Sequence, residues 1–233
     1  LDIYYVDAFS HETFEGNPAA VIFSNLNDDN LMQNIAAENN LSETAFVNVT
    51  ENENIIRWFS PTKEVDLCGH ATLASAFVYF NYINTGKETI EFKSNGGILI
   101  VNKKDNLLEL DFPKDTFTQI NNRDVVGDAV GLKPIETYKG QINLMAVYEN
   151  EEDILNLKPD FNKIIKLAGQ GLIVTAPGLH HDFVSRYFCP KYGINEDPVT
   201  GSAHTTLTPY WSDKLSTKKL LAKQVSKRGG ELF

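Results

Sequence analysis

Arg57-Trp58-Phe59-Ser60-Pro61, followed by Glu64 and by Leu67-Cys68-Gly69-His70-Ala71, decides the reading of this chain, because the chain contains it twice. The second copy is Arg186-Tyr187-Phe188-Cys189-Pro190, then Glu196 and Val199-Thr200-Gly201-Ser202-Ala203. The R-aromatic-F-x-P segments lie 129 residues apart and the E-x-x-apolar-x-G-x-A segments 132 apart, so three residues are inserted between them. A further echo follows each copy, Asn95-Gly96-Gly97-Ile98-Leu99 against Arg228-Gly229-Gly230-Glu231-Leu232. Matches in one order mark an internal duplication. Two similar halves are therefore expected, residues 1–113 and 114–233, related by a pseudo-twofold axis with the Gly-rich turns near it.

Working outward, each turn opens a segment with helical character. Residues 71 to 80 read Ala-Thr-Leu-Ala-Ser-Ala-Phe-Val-Tyr-Phe, without a charged face. A helix apolar all round must be surrounded by other structure, and strands at 89–93, 97–103 and 107–112 are the natural wall. The fold class predicted is α+β, each half a curved, mostly antiparallel, barrel-like sheet around a central apolar helix. Upstream, residues 3–9 and 19–23 read as strands around a turn at Glu15-Gly16-Asn17-Pro18. A helix follows, with Asp28, Asp29 or Asn30 as N-cap and Asn39-Asn40 as its stop. Strands are predicted at 41–47 and 55–59, and the first-half helix from about Gly69 to Tyr82.

The second half is predicted to carry helices at 122–130, 151–155 and 161–167 and strands at 142–148, 171–175 and 183–188. Its last helix should run from Gly201 to about Trp211, kinked or shortened by Pro209, since an interior proline costs ~3 kcal/mol. About fifteen residues of strand follow Gly96-Gly97, whereas three follow Gly229-Gly230. The repeat thus leads one to expect further strands beyond Phe233, and a starting Met.

Composition sets the bounds. The 233 residues are 42% hydrophobic and 22% charged, ordinary for a soluble globular protein able to bury a sizeable core. With 31 acidic against 21 basic residues and a net charge of −10, neither nucleic acid nor an anionic membrane is expected as partner. Cys68 and Cys189 are the two cysteines, too few for a disulfide framework and wrongly spaced for a metal site, which fits a reducing cytoplasm. No signal peptide is evident. The uncharged run from Leu67 to Gly86 carries Gly, His, Thr, Ser and Asn and reads as a buried helix, not a membrane span.

The paired turns have chemical potential. Gly69-His70-Ala71 and Gly201-Ser202-Ala203 each open a helix, whose first N–H groups lack internal partners. Together with the helix dipole they hold a carboxylate and stabilise charge developing beside it; the alternative is two tight helix starts. Glu43 lies on a strand face with Ala45, Val47 and Val49. Lost solvation there would raise its pKa and suit it to proton transfer, unless the strand end is frayed into water. His70 is a candidate hydrogen-bond donor to a substrate oxygen or a capping side chain. Asp197, before Pro198, is a candidate partner for His70 or a substrate amine, or an Asp-Pro turn residue. No phosphate loop is present, Gly169-Gln170-Gly171 precedes a strand and so lacks a dinucleotide context, and His180-His181-Asp182 reads as a surface turn.

Gly16-Asn17-Pro18-Ala19-Ala20-Val21, Ser42-Glu43-Thr44-Ala45-Phe46, Asp66 to Leu73 and Glu196 to His204 together resemble the phenazine-biosynthesis PhzF family. That family shares its fold with diaminopimelate epimerase, and the resemblance runs from Ile3 to Leu232. It implies an active site in the cleft between halves, Glu43 as acid/base, and Gly69, His70, Asp197, Gly201 and Ser202 around the substrate. It also implies a homodimeric isomerase that shifts a proton in a small cyclic acid, with no cofactor and no metal. A two-base epimerase needs an acid/base group on each face of a carbon, supplied in the related epimerase by two cysteines. Here Thr200 stands opposite Cys68, and a threonine hydroxyl is no such base near neutral pH without activation. Cys189 reads as a core residue. The reading is an isomerase acting beside a carboxylate, with two alternatives: an amino-acid epimerase pairing Glu43 with Cys68, or an idle acid-binding scaffold.

Overall fold

The computed structural model describes residues 1–233 as two compact units, Leu1–Ala8 with Asn17–Phe112, and Phe9–Gly16 with Pro113–Phe233. The excursion of Phe9–Gly16 into the second unit has no counterpart in a boundary at residue 113. No helix is long and apolar enough to cross a membrane.

In the first unit, β1 (Tyr4–Ala8) pairs antiparallel with β2 (Asn17–Phe23), and helix α1 (Asp29–Asn39) crosses over to β3 (Glu43–Val49), which lies parallel to β2. Of the possible caps, Asp28 serves: its carboxylate accepts from Leu31 N, and Asn40 ends the helix in the left-handed region at φ 49°. β4 (Asn54–Phe59) pairs antiparallel with β3 and with the short β5 (Glu64–Val65). Helix α2 (Gly69–Val78) follows, prolonged by a π-helical turn at Tyr79–Ile83. β6 (Thr89–Ser94), parallel to β4, then leads the antiparallel strands β7 (Gly97–Lys104) and β8 (Leu107–Leu110).

The packing explains the sequence pattern. Ala19, Val21, Ala45, Val47, Ile56 and Trp58 face α2, whose Ala71, Ala74, Ala76 and Val78 complete that core. Ile22, Phe46 and Phe59 face the other way, against Met32 and Ala36 of α1. Strands β2 to β4 thus pack on both faces, and Ala19–Phe23 of β2 reads as an unbroken apolar run instead of alternating. α2 is enclosed as its uncharged surface requires, except that Phe77 stays 43% exposed.

The second unit repeats this order. After β9 (Thr118–Gln119) and α3 (Arg123–Val130) come β10 (Glu136–Lys139) and β11 (Leu144–Val147), then α4 (Glu151–Asn156) and α5 (Phe161–Ile164). They are followed by β12 (Leu172–Pro177), β13 (Phe183–Cys189), β14 (Ile194–Asp197), a 3-10 turn at Gly201–Ala203, α6 (His204–Leu215), β15 (Ala222–Gln224) and β16 (Gly230–Leu232). Every pairing from β1 to β7 has its counterpart in the same sense from β10 to β16, including the parallel pairs β2–β3 and β11–β12, and β4–β6 and β13–β15. β8 has no equivalent. On that edge of β16, Glu231 N donates to Phe9 O (3.0 Å) and Gly16 N donates to Gly229 O (2.7 Å), so Phe9–Gly16 covers the strand that β8 would cover.

The R-x-F motif anchors each crossover. Arg57 grips Glu64 bidentately (2.7 and 2.7 Å), lies 5.1 Å over the Phe59 ring and reaches Asp29 at the start of α1 (2.7 Å). Arg186 grips Glu196 likewise (2.7 and 2.9 Å), lies 4.9 Å over Phe188 and donates to Ile154 O of α4 (3.1 Å). The motif is therefore architectural.

Pro209 does not shorten its helix as expected: α6 continues to Leu215. A proline at 209 leaves the carbonyl four residues back without its helical donor. Asp115 N supplies one, donating to Thr205 O at 3.0 Å, while the Asp115 carboxylate accepts from Thr206 Oγ1 at 2.8 Å.

Candidate active site

Three of the motif segments converge within the first unit. β2 and β3 begin side by side, with Ala19 in register with Glu43, and the start of α2 packs beside them. Cys68 occupies the N-cap of α2 and makes no side-chain cap hydrogen bond; the first-turn N–H groups of a helix have no partner within it. Thr72 Oγ1 donates to Cys68 O (2.6 Å) and fixes the turn.

Around this helix start lie Glu43, Cys68 and His70, with one reactive atom of each within 4.8 Å of the other two. His70 Nδ1 is 3.5 Å from Cys68 Sγ, and His70 Nε2 is 3.5 Å from Glu43 Oε2. The ring is 7% exposed and the Glu43 side chain 18%. Burial pushes the His70 pKa down to about 4, against the opposing effect of a hydrogen bond to the Pro18 carbonyl. The imidazole is thus neutral near pH 7. A hydrogen bond joins the ring to the Pro18 carbonyl, and Nε2, which has no hydrogen-bond partner, faces the Glu43 carboxyl group.

The second turn is wired differently. Thr200 Oγ1 donates to Asp197 Oδ2 (2.5 Å), and Thr200 N donates to Gln224 Oε1 (2.9 Å). Gln224 Nε2 in turn donates to Asp197 O (2.8 Å) and lies 3.2 Å from Thr200 Oγ1. His204 Nδ1 bonds Thr200 O (2.8 Å), the role Thr72 plays for Cys68, and burial pushes its pKa down to about 4. Gly201 and Ser202 open the 3-10 turn before α6, both partly accessible. Asp197 thus holds the Thr200 hydroxyl in an Asp-Pro turn.

Sequence reasoning passed over two participants. Pro18 lay inside a recognised motif, but its carbonyl carries no side-chain signal. Gln224 lies on a three-residue strand that hydrophobic patterning does not reveal. Cys189 sits in an apolar cluster with Ile173 and Ala203, as its core reading requires. His181 pairs with Glu231 (3.0 Å) and Asp182 accepts from Leu221 N (2.7 Å), so that dipeptide is spent on separate contacts. A concavity of about 400 Å³ beside β9 and β10, lined by Gln119, Arg123 and Glu136 among others, involves none of the candidate residues.

Residues 6–233 match the family model described as phenazine biosynthesis-like protein, PhzC-PhzF. The chain belongs to this family. It is 48% identical to an uncharacterized isomerase of Pseudomonas aeruginosa over 235 residues, covering 100% of this chain and 90% of the relative. The crystal structure of a PhzF-family phenazine biosynthesis protein from Enterococcus faecalis superposes with a TM-score of 0.95 at 49% identity, covering 99% of this chain and 89% of that one. A predicted epimerase from Pseudomonas aeruginosa shares the fold at a TM-score of 0.75 and 17% identity, covering 99% and 89% of the two chains. The observed architecture is accordingly the expected one, an α+β, diaminopimelate epimerase-like fold in two similar halves.

Proposed function

We propose that this PhzF-family protein is an isomerase that moves a proton next to the carboxylate of a small acid, without a cofactor. The observation that carries the reading is the placement of Glu43 in a largely desolvated corner, against a neutral His70 and the open end of α2. The first-turn N–H groups around Gly69, which have no partner within the helix, suit an anionic substrate and the charge that develops when a proton leaves the carbon beside its carboxylate. Glu43 removes and returns that proton; His70 Nε2 accepts a hydrogen bond from Glu43 once the latter is protonated. Asp197, Gly201 and Ser202 of the second unit are assigned to substrate binding, Asp197 orienting the turn through Thr200.

The spacing within the cluster bears on the epimerase alternative. Two groups working on opposite faces of one carbon, each about 3 to 3.5 Å from it, stand about 6 to 7 Å apart. Glu43 and Cys68 approach within 4.8 Å, which disfavours them as a two-base pair. A single base that takes a proton and returns it elsewhere fits this arrangement better.

Glu43→Gln keeps the shape and removes the base. Solvent-deuterium incorporation into a turned-over small acid should fall by on the order of a hundred- to ten-thousand-fold, with the circular dichroism spectrum unchanged. Exchange that continues at the wild-type rate would refute the role of Glu43. Binding of the acid without exchange in the wild-type protein would favour a scaffold instead.

A further inference from the structure

The same corner has the composition of a metal site. We propose that Glu43, Cys68 and His70 bind a thiophilic divalent cation, zinc above all, and that the bound cation switches the isomerase off. Inhibition rests on the role assigned to Glu43; binding does not.

A carboxylate, a thiol and an imidazole offer one atom each within 4.8 Å of the other two. Tetrahedral zinc, with bonds of about 2.0 to 2.3 Å, sets its ligand atoms about 3.3 to 3.8 Å apart, so a contraction of about 1 Å at most closes the site. One of the separations, His70 Nε2 to Glu43 Oε2, is already 3.5 Å. The donors sit on well-buried elements: Glu43 on β3 between β2 and β4, and Cys68 and His70 in the first turn of an enclosed helix.

The surroundings of His70 point the same way. Metal-bound histidines donate their second ring N–H to a carbonyl or carboxylate, which fixes the tautomer and leaves the ligating lone pair exposed to the ion. Here the Pro18 backbone carbonyl takes that N–H, and Nε2 is a buried nitrogen with no hydrogen-bond partner that looks toward Glu43. An unsatisfied buried nitrogen of this kind is costly unless something binds it. The donor set selects the ion: thiolate and imidazole favour zinc and disfavour magnesium or calcium, which seek oxygen. Three protein ligands leave a fourth position to water or a substrate carboxylate, the arrangement of open zinc sites. Binding releases the Cys68 thiol proton to solvent and occupies the Glu43 lone pair needed for proton transfer.

The test uses the full chain stripped with a chelator, then titrated with Co²⁺ and with Zn²⁺ without substrate. The expectation is one ion per chain, with a cobalt–thiolate charge-transfer band and the visible bands of tetrahedral cobalt. Cys68→Ser should abolish the charge-transfer band, and His70→Gln should weaken zinc at least ~100-fold, the upper end of what losing an outer-shell partner costs. Cys189→Ser should change neither. A wild-type protein without stoichiometric binding, or a Cys68→Ser protein that retains the band, would overturn the site. Zinc should also suppress deuterium exchange, reversibly on chelation; activation by zinc would overturn the inhibitory assignment. The cobalt spectrum is read without turnover, so an inactive protein with a normal spectrum refutes the isomerase reading alone.

Discussion

The duplicated arginine grip allows one interaction to be compared with itself inside a single chain. Consider Glu64→Gln and Glu196→Gln. In each, glutamine keeps the length but points an amide N–H₂ at guanidinium donors, so one of two charge-assisted hydrogen bonds is lost and the arginine charge is left less compensated. Breaking a fully buried pair costs about 3–5 kcal/mol and an exposed one about 0–1 kcal/mol. The Arg186 and Glu196 side chains are 14% and 20% exposed, and the remaining contact of the guanidinium is a neutral carbonyl, Ile154 O. About 2–3 kcal/mol is therefore expected. Arg57 and Glu64 are 21% and 28% exposed, and Arg57 keeps the Asp29 carboxylate at 2.7 Å; about 1 kcal/mol is expected. Urea is the right denaturant, because guanidinium chloride screens the charges in question. Trp58 is buried in the first core and Trp211 in the second, so fluorescence follows both units alongside far-ultraviolet circular dichroism. Equal losses, or a larger loss for Glu64→Gln, would refute the argument that the second carboxylate compensates.

Two further outcomes follow from the second unit. His204 is held neutral, with a pKa of about 4 against 6.5 when unperturbed. The unfolded chain then binds the extra proton first, so its contribution is complete above pH 6.5 and is lost as pH falls toward 4, at most about 3 kcal/mol in all. A His204→Gln protein should show a shallower loss of urea midpoint between pH 6.5 and 4.5, and an unchanged slope would contradict this. A Cβ at Gly230 would stand 2.6 Å from Val199 Cγ2 and 2.7 Å from Phe9 O. Since the carbonyl belongs to backbone, Gly230→Ala should cost about 1–3 kcal/mol and hasten proteolytic cleavage within 9–16. Gly86→Ala, with nothing within 4 Å, should not; equal cleavage rates would refute the packing argument.

What the sequence disclosed follows from what duplication preserves. The R-x-F…E and glycine signatures persist because each copy needs the same grip and the same turn, and they revealed paired sheets with enclosed helices before any coordinate. Long apolar runs such as Ala19–Phe23 announced strands buried on both faces. Short strands did not show: β14 and β15 span four and three residues, too few for periodicity to register. Pro209 misled because its cost is local, whereas the compensating donor, Asp115 N, comes from 90 residues away in sequence. Glu43 and His70 were each legible from strand phase and turn position, but not their contact. A spacing rule for metal ligands sees Cys68 and His70 two residues apart and has no means of adding Glu43, which only the β2–β3–α2 packing brings to them.

The two turns also explain where the chemistry can reside. Their backbones are held alike, with the carbonyl of residue 68 bonded by Thr72 and that of residue 200 by His204, four residues on in each case. Duplication has therefore kept the helix start while releasing the side chain before it. At position 200 the hydroxyl is donated to Asp197 and the amide to Gln224, so its polar groups serve the turn itself. At position 68 the thiol faces a neutral imidazole that in turn faces a carboxyl group, so three groups able to donate lone pairs meet there. On the reading proposed above, this corner accepts a proton from substrate or accepts a cation, and Glu43 is common to both events. Proton transfer and metal binding are in this view competing ways of neutralising one buried group of donors, which is why a metal there should inhibit instead of assist.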